Sequence, residues 1–237
     1  MGGRLKLFRK GMIDGIPIAL GYLAVSFSFG ILARKAGLTT FQAVLMSALN
    51  LTSAGQFASL DVIVAAGSCV ELALSQLVIN LRYSLMSCTL SQKVDPKAKL
   101  FHRFAMAFGN TDEVFALSAA YPGVLPPVYT YGLMASAIPG WVFGTLMGAV
   151  AGDILPERVL SALGVALYAM FCALILPPAK QMPVLRKVIV ISMAASLIFA
   201  VAPVLSGISS GMRVIILTVG IAAAAAYLAP VPVKEGE

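Results

Sequence analysis

The chain has 237 residues and a formal net charge of +7, with 59% hydrophobic and 11% charged residues. A soluble domain, in which about 25% of residues are charged, could not bury so much apolar surface, and a disordered chain is poor in apolar residues. The three cysteines are too few for a disulfide-stapled module, and their apolar neighbours predict that they are buried. The composition therefore predicts an all-α, polytopic integral membrane protein.

The chain divides into eight hydrophobic segments, because a bilayer core needs about 20 apolar residues per helix and Gly, Pro and charged residues punctuate the sequence. In chain order they are Met12–Leu32, Thr40–Ala66, Val70–Leu90, Phe101–Tyr121, Tyr129–Val150, Val159–Leu176, Val188–Leu205 and Val214–Leu228. We find no linker between them, so residues 1–237 are predicted to form a single transmembrane domain.

Two of these segments are interrupted in the middle by polar residues and glycine. The second segment contains Asn50–Gln56, and the fourth contains Gly109–Glu113. Unwound backbone at membrane depth is tolerated only where protein or water satisfies it, and a pair of broken segments is a sequence sign of a transporter substrate site. Each break is alternatively a loop between two re-entrant half-helices, which also usually line a site.

The basic residues fall in short clusters between the hydrophobic segments, at residues 4–10, 34–35, 93–103 and 180–187. If all eight segments cross, the 93–103 cluster and the N-terminus lie on opposite sides, against the positive-inside rule. If both interrupted segments re-enter, six helices cross, both termini are cytoplasmic, and only the 34–35 pair is misplaced. We prefer this second topology. Such clusters suit anionic lipid headgroups, and no nucleic-acid partner is expected.

Charge at membrane depth costs about 2.5–3.5 kcal/mol per residue and marks candidate functional positions. On the third segment, Arg82 accompanies a polar stripe that includes Asn80. Such a stripe either lines a substrate path or forms hydrogen bonds between helices.

The second break places Asp112 and Glu113 directly after Asn110 and Thr111. One interpretation is a half-helix capped by Asn110 or Thr111, with the acids in its first turn, where they complement the helix dipole. The other is that an acid binds a substrate amine or carries a coupling proton. The first break could offer free backbone amides to an anionic group, so the two breaks together suit a zwitterion.

The candidate substrate-binding residues are therefore the polar and glycine positions of the breaks and of the third segment. They are Asn50, Thr52, Ser53, Gly55, Gln56, Asn80, Arg82, Asn110, Thr111, Asp112 and Glu113.

The fifth segment carries small residues at four-residue intervals: Gly132, Ser136, Gly140, Gly144 and Gly148. Such a seam predicts a close approach to another helix, in this chain or in another subunit. Trp141 on the same helix is interpreted as a packing residue.

The sequence offers no enzyme constellation. The single histidine, His102, lies at the edge of a basic loop, a metal site needs more ligands than this, and no Gly-rich phosphate loop is present. We therefore expect no enzymatic activity, no cofactor and no metal.

Several blocks of the chain, in this order, resemble the AzlC family, the large subunit of bacterial branched-chain amino acid exporters. The blocks are Ser53–Phe57, Ala65–Ser68, Asn80–Tyr83, Phe108–Ala116, Trp141–Thr145 and Ala162–Gly164. The resemblance spans roughly Ile13–Leu176. One departure is that the family's arginine block often reads Asp-x-Arg-His, whereas here it is Asn80–Tyr83. If that Asp or His supports proton coupling in relatives, Asp112 and Glu113 are the remaining acids here.

The resemblance implies secondary export of leucine, isoleucine and valine across the bacterial inner membrane, together with a small AzlD-type membrane subunit as partner. We expect alternating access around the two breaks. The alternatives are a transporter or channel for another small amphipathic solute, and a non-transporting membrane assembly subunit.

Overall fold

The computed structural model describes residues 2–151, 172, 176, 179–180, 182–202, 208 and 210–229. In these residues the regular elements are all helices: α1 (Gly2–Lys35), α2 (Thr40–Leu49), α3 (Ser53–Val64), α4 (Cys69–Lys93), α5 (Leu100–Phe108), α6 (Asp112–Ala120), α7 (Pro127–Ala151), α8 (Pro183–Val201) and α9 (Ser210–Leu228). The predicted segment Val159–Leu176 lies almost wholly outside the described residues.

The all-α membrane fold is confirmed. Of the described helices, α1, α7 and α8 are long and apolar enough to span a membrane. Both predicted interruptions are present, since α2 ends at Leu49 before α3 begins at Ser53, and α5 ends at Phe108 before α6 begins at Asp112.

The chain forms two compact units. The first comprises residues 1–60 and 80–167 and contains α1, α2, most of α3, the second half of α4, and α5 to α7. The second comprises residues 61–79 and 168–237, in which α8 packs against α9. That the whole chain is a single transmembrane domain stays a prediction.

Helices α1 and α7 form the scaffold of the first unit and pack along the predicted small-residue seam. A Cβ added at Gly132 would lie 2.2 Å from the carbonyl oxygen of Phe8, and one added at Gly148 would lie 1.9 Å from that of Phe27. The contacts advance in the same direction along both helices, so α1 and α7 are parallel. The partner of the seam is therefore a helix of this chain.

The α5–α6 segment enters and leaves at the same end of this helix pair. Val94, which precedes α5, forms a parallel bridge with Leu125, which follows α6. The Leu125 amide donates to the Lys93 carbonyl (2.9 Å), and the Asp95 amide donates to the Leu125 carbonyl (3.1 Å). Because Leu125 lies just before the start of α7, both ends of the segment meet the start of α7, and α5–α6 is a re-entrant hairpin.

The α2–α3 segment is a re-entrant hairpin from the opposite end. Ala43 near the start of α2 and Leu60 near the end of α3 belong to one buried cluster with Phe29, Ala33 and Ala149, which lie toward the ends of α1 and α7. The two hairpins therefore enter the first unit from opposite ends.

The end of the first unit at which α1 and α7 begin is here called the basic end. It carries the N-terminal basic residues, and Lys10 lies 5.6 Å from the ring centroid of Tyr121. It also carries Lys93 and Arg103. The N-terminal and 93–103 clusters thus share one end, as the six-crossing topology requires.

The prediction that the cysteines are buried is wrong, since Cys69, Cys88 and Cys172 are all exposed in the structure. A helix face that meets lipid is as apolar as a protein interior, so an apolar sequence context does not indicate burial in a membrane protein.

Candidate functional site

The tip of the first hairpin is built around Thr52, which directly precedes α3. Its Oγ1 accepts a hydrogen bond from the Gly55 amide (3.2 Å) and donates one to Oδ1 of Asn80 on α4 (2.7 Å). The side chain therefore caps α3 and fastens the tip to α4. The Asn50 side chain in turn accepts from the Thr52 amide (3.3 Å).

Gln56 stabilises the same tip through hydrogen bonds to the end of α2. Its fully buried side chain donates to the carbonyls of Met46 (3.0 Å) and Asn50 at the end of α2. Its Oε1 accepts from Nε1 of Trp141 (3.1 Å), and the Trp141 ring packs edge-on against Tyr22 with centroids 5.4 Å apart. Trp141 therefore packs, as predicted, and also holds Gln56 in place.

The tip of the second hairpin has a matching cap. Thr111 Oγ1 accepts from the Val114 amide (3.4 Å), and Asp112 and Glu113 occupy the first turn of α6. The capping interpretation is thus confirmed, with Thr111 as the cap. The cap uses only the threonine hydroxyl and leaves both carboxylates to interact with other groups.

Each acid has one partner from a different helix. Asp112 forms an ion pair with Arg82 of α4 at 2.8 Å, and the two side chains are 32% and 40% exposed. Glu113 accepts a hydrogen bond from the hydroxyl of Tyr22 on α1. The first turn of α6 is therefore tied to both α1 and α4.

Sequence reasoning missed Tyr22. A single phenol within the apolar first segment was the available signal, because a buried tyrosine hydroxyl usually has a hydrogen-bond partner. The sequence alone gave no indication that this partner is Glu113.

The two tips and α4 enclose a cavity of about 220 Å³, here called the central cavity. Its polar wall consists of Asn50, Thr52, Asn80, Asn110 and Thr111, together with Tyr83. Its apolar wall includes Leu49, Leu51 and Phe108. The other six candidates are not among the residues that line this cavity: Ser53, Gly55, Gln56, Arg82, Asp112 and Glu113.

The helix ends give the central cavity two kinds of electrostatic environment. The threonine caps satisfy the third amide of α3 and of α6, and the first two amides of each helix have no partner within that helix. Such N-terminal ends favour anions, whereas the ends of α2 and α5 favour cations. In the part of the chain that the structure describes, Oδ1 of Asn110 is buried and has no hydrogen-bond partner.

Outside this cavity, His102 accepts from or donates to the Tyr131 hydroxyl through Nδ1 at 2.7 Å. Among the described residues, no group of three His, Cys, Asp or Glu side chains lies close enough to hold a metal ion. The chemistry available in the cavity is thus hydrogen bonding, helix-end electrostatics and apolar contact.

Two re-entrant hairpins whose tips enclose a polar cavity define a membrane protein with a transporter-like role. The family model described as AzlC protein matches residues 17–155, more than half of the chain, and the chain belongs to this family. The matched residues include both hairpins and the seam helix α7.

The curated relatives are membrane proteins. A membrane protein of Archaeoglobus fulgidus is 36% identical over 176 residues, which are 73% of this chain and 77% of the relative. The inner membrane protein YgaZ of Escherichia coli is 29% identical over 214 residues, 86% of this chain and 87% of YgaZ. A Helicobacter pylori membrane protein is 28% identical over 153 residues, 63% of this chain and 66% of the relative. No solved structure matches the chain.

Proposed function

We propose that the chain is a multi-pass secondary transporter of the bacterial inner membrane that exports leucine, isoleucine and valine. It works as the large subunit of a two-subunit complex with a small AzlD-type partner and has no enzymatic activity. The observation that supports transport most strongly is the central cavity, because it lies where two hairpins from opposite ends of the molecule meet.

The central cavity offers each part of a branched-chain amino acid a suitable environment. The carboxylate binds beside Thr52, where the N-terminal end of α3 favours an anion. The ammonium group binds at the second tip, where Oδ1 of Asn110 is without a partner. The aliphatic side chain packs against the apolar wall. Since such a wall distinguishes one methylene by only about 1–3 kcal/mol, overlapping substrates are expected.

The hairpins supply a route to alternating access. Each tip is fastened to the scaffold through a small number of polar contacts, such as Trp141 with Gln56 and Tyr22 with Glu113. A shift of one hairpin opens the cavity toward the end from which that hairpin enters, while the other hairpin keeps the opposite end closed. By the positive-inside rule, the basic end faces the cytoplasm.

Flux in proteoliposomes tests this proposal. Uptake and efflux of labelled leucine and valine are measured for the chain alone and together with the small partner, with and without an imposed proton gradient. We expect saturable flux that requires the partner. If flux depends on the proton gradient, the acids at the start of α6 are the next residues to substitute.

Asp112→Asn is the variant to compare, with Asp95→Asn as the matched control because Asp95 lies in the loop between α4 and α5. We expect the first variant to abolish or uncouple flux and the control to keep it. Normal flux in Asp112→Asn would leave this acid with only a structural role. Absence of amino-acid flux from folded wild-type protein in every arrangement would overturn the proposed function in favour of another solute or an assembly role.

A further inference from the structure

A second, smaller cavity of about 50 Å³ adjoins the central one, and we call it the side cavity. Its wall includes Ser87 and Ser91 of α4 and Arg103 of α5. Ala107 and Asn110 line both cavities. The end of α5 and the second tip therefore contribute to the walls of both cavities.

The side cavity runs toward the basic end. Val94, which bridges to the start of α7, also belongs to its wall. Near the same end, Nη1 of Arg103 donates to the carbonyl and the hydroxyl of Ser91, both at 2.9 Å. A guanidinium held at this position by two hydrogen bonds attracts anionic groups such as a carboxylate.

Asn110 stands at the boundary between the cavities. Its side chain is 5% exposed, and its Nδ2 donates to the Ser87 hydroxyl at 3.2 Å. Its Oδ1 is buried without a hydrogen-bond partner in the described part of the chain. Buried acceptors of this kind are uncommon in folded proteins and point to a missing water, ion or ligand.

We propose that the side cavity is the basic-end half of the solute path and that Asn110 is its gate, which binds the ammonium group of the passing solute through Oδ1. This inference rests on the proposed function. Arg103 and Ser91 form the outer mouth, where the carboxylate is first attracted. A solute with both groups meets Arg103 at the mouth and Asn110 at the boundary, so the path favours zwitterions over simple cations or anions.

The hydrogen bond between Asn110 and Ser87 explains how the gate is held closed. It joins the second tip to α4 beside the residues that line both cavities. A solute ammonium donates to Oδ1, so opening the gate requires the second tip to move and the separate bond from Nδ2 to Ser87 to break. No covalent change is involved.

Blocking the mouth tests the path. Ser91→Trp fills the side cavity without touching the wall of the central cavity, and Thr89→Trp, exposed on the same helix, is the matched control. Leucine binding to the purified protein and flux in proteoliposomes are measured for both variants. We expect Ser91→Trp to lower flux by about tenfold or more, equivalent to 1.4 kcal/mol, with binding retained. Unchanged flux would overturn the proposed path, and so would a loss of leucine binding that accompanies the loss of flux.

Thiol accessibility separates this inference from the proposed function. In a background with the three native cysteines replaced by serine, Ser87→Cys is treated with a membrane-impermeant thiol reagent that carries an ammonium group. We expect the thiol at residue 87 to react with reagent added from the basic end. The additional substitution Asn110→Leu should lower the rate of this reaction and leave the reaction rate of a Thr89→Cys control unchanged. No reaction at residue 87 from that end overturns the path, even if leucine is transported. Reaction in a protein that transports no amino acid upholds the path and rejects the proposed substrate.

Discussion

The seam between α1 and α7 and the meeting point of the two hairpins are built in opposite ways. Along the seam, glycines such as Gly132 and Gly148 bring backbone against backbone, with space for no further atom. At the hairpin tips, polar side chains surround a cavity of about 220 Å³, and Oδ1 of Asn110 is left without a partner. The seam provides a fixed scaffold, whereas the tips keep the space and the unsatisfied groups that binding requires.

The two regions also respond differently to amino-acid substitution. Close-packed regions transmit strain and do not deform gradually, so the seam is intolerant of added atoms. The tips are held by individual hydrogen bonds and one partly exposed ion pair, each of which contributes little free energy. We therefore expect seam variants to lose folding, and tip variants to lose transport while they still fold.

The largest effect is expected for Gly148→Ala. The added Cβ would lie 1.9 Å from the backbone carbonyl oxygen of Phe27, so a helix has to move, at a cost above the usual 1–3 kcal/mol or so of overpacking. The yield of monodisperse protein in detergent and its melting temperature measure this effect. Gly21→Ala, where an added Cβ meets nothing within 4 Å, serves as the control and should be neutral or stabilising. Equal behaviour of the two variants would refute the close seam.

The next effect concerns the ion pair between Arg82 and Asp112. We expect the double variant Arg82→Gln with Asp112→Asn to lose leucine flux by roughly tenfold or more, equivalent to 1.4 kcal/mol. Because both side chains are partly exposed, we expect a change in stability of only about 1 kcal/mol or less. Parallel measurements of flux and melting temperature distinguish the two roles. A fully active double variant would mean that the pair serves neither transport nor gating.

A purely structural effect is expected for Trp141→Phe. This change leaves Oε1 of the buried Gln56 without its donor, which costs about 1–3 kcal/mol. Chemical or thermal unfolding in detergent measures the loss. Phe143→Leu, at an exposed position of the same helix, should change the stability much less. Equal destabilisation by the two variants would show that the hydrogen bond contributes nothing specific.

The smallest effect is expected for Thr39→Ala at the start of α2. Thr39 and Gln42 form a capping box, and loss of such a cap costs about 1 kcal/mol. The position lies at the opposite end from the tip, so leucine flux should stay at the wild-type level. Thr40→Ala, one residue further on, removes no capping bond and provides the control. A large loss of flux in Thr39→Ala alone would mean that the base of the hairpin also controls the cavity.

Much of this arrangement could be predicted from residue types. Glycine and asparagine in the middle of two apolar segments predicted the breaks, four-residue spacing predicted the seam on α7, and the order Thr111, Asp112, Glu113 predicted a capped half-helix. Each of these features depends on local sequence, which propensity and periodicity describe.

The partners of the site residues could not be predicted in the same way. Tyr22 and Glu113 are 91 residues apart, and Trp141 and Gln56 are 85 apart, so only the tertiary fold brings them together. For the same reason the sequence predicted Gln56 as a substrate ligand, whereas the structure uses its donors to close the end of α2. The structure was also needed to identify the helix that packs against the seam, since small residues on α7 do not identify their partner.

Substrate protection at the tip of the first hairpin tests most directly whether the hairpins form the substrate site. Leu51→Cys lies in the wall of the central cavity, and Lys35→Cys, exposed at the end of α1, is the control in the same background without native cysteines. We predict that leucine slows alkylation at residue 51, with the concentration dependence that flux shows, and leaves residue 35 unaffected. Equal alkylation rates at residue 51 with and without saturating leucine, in protein that transports leucine, would contradict a substrate site between the two tips.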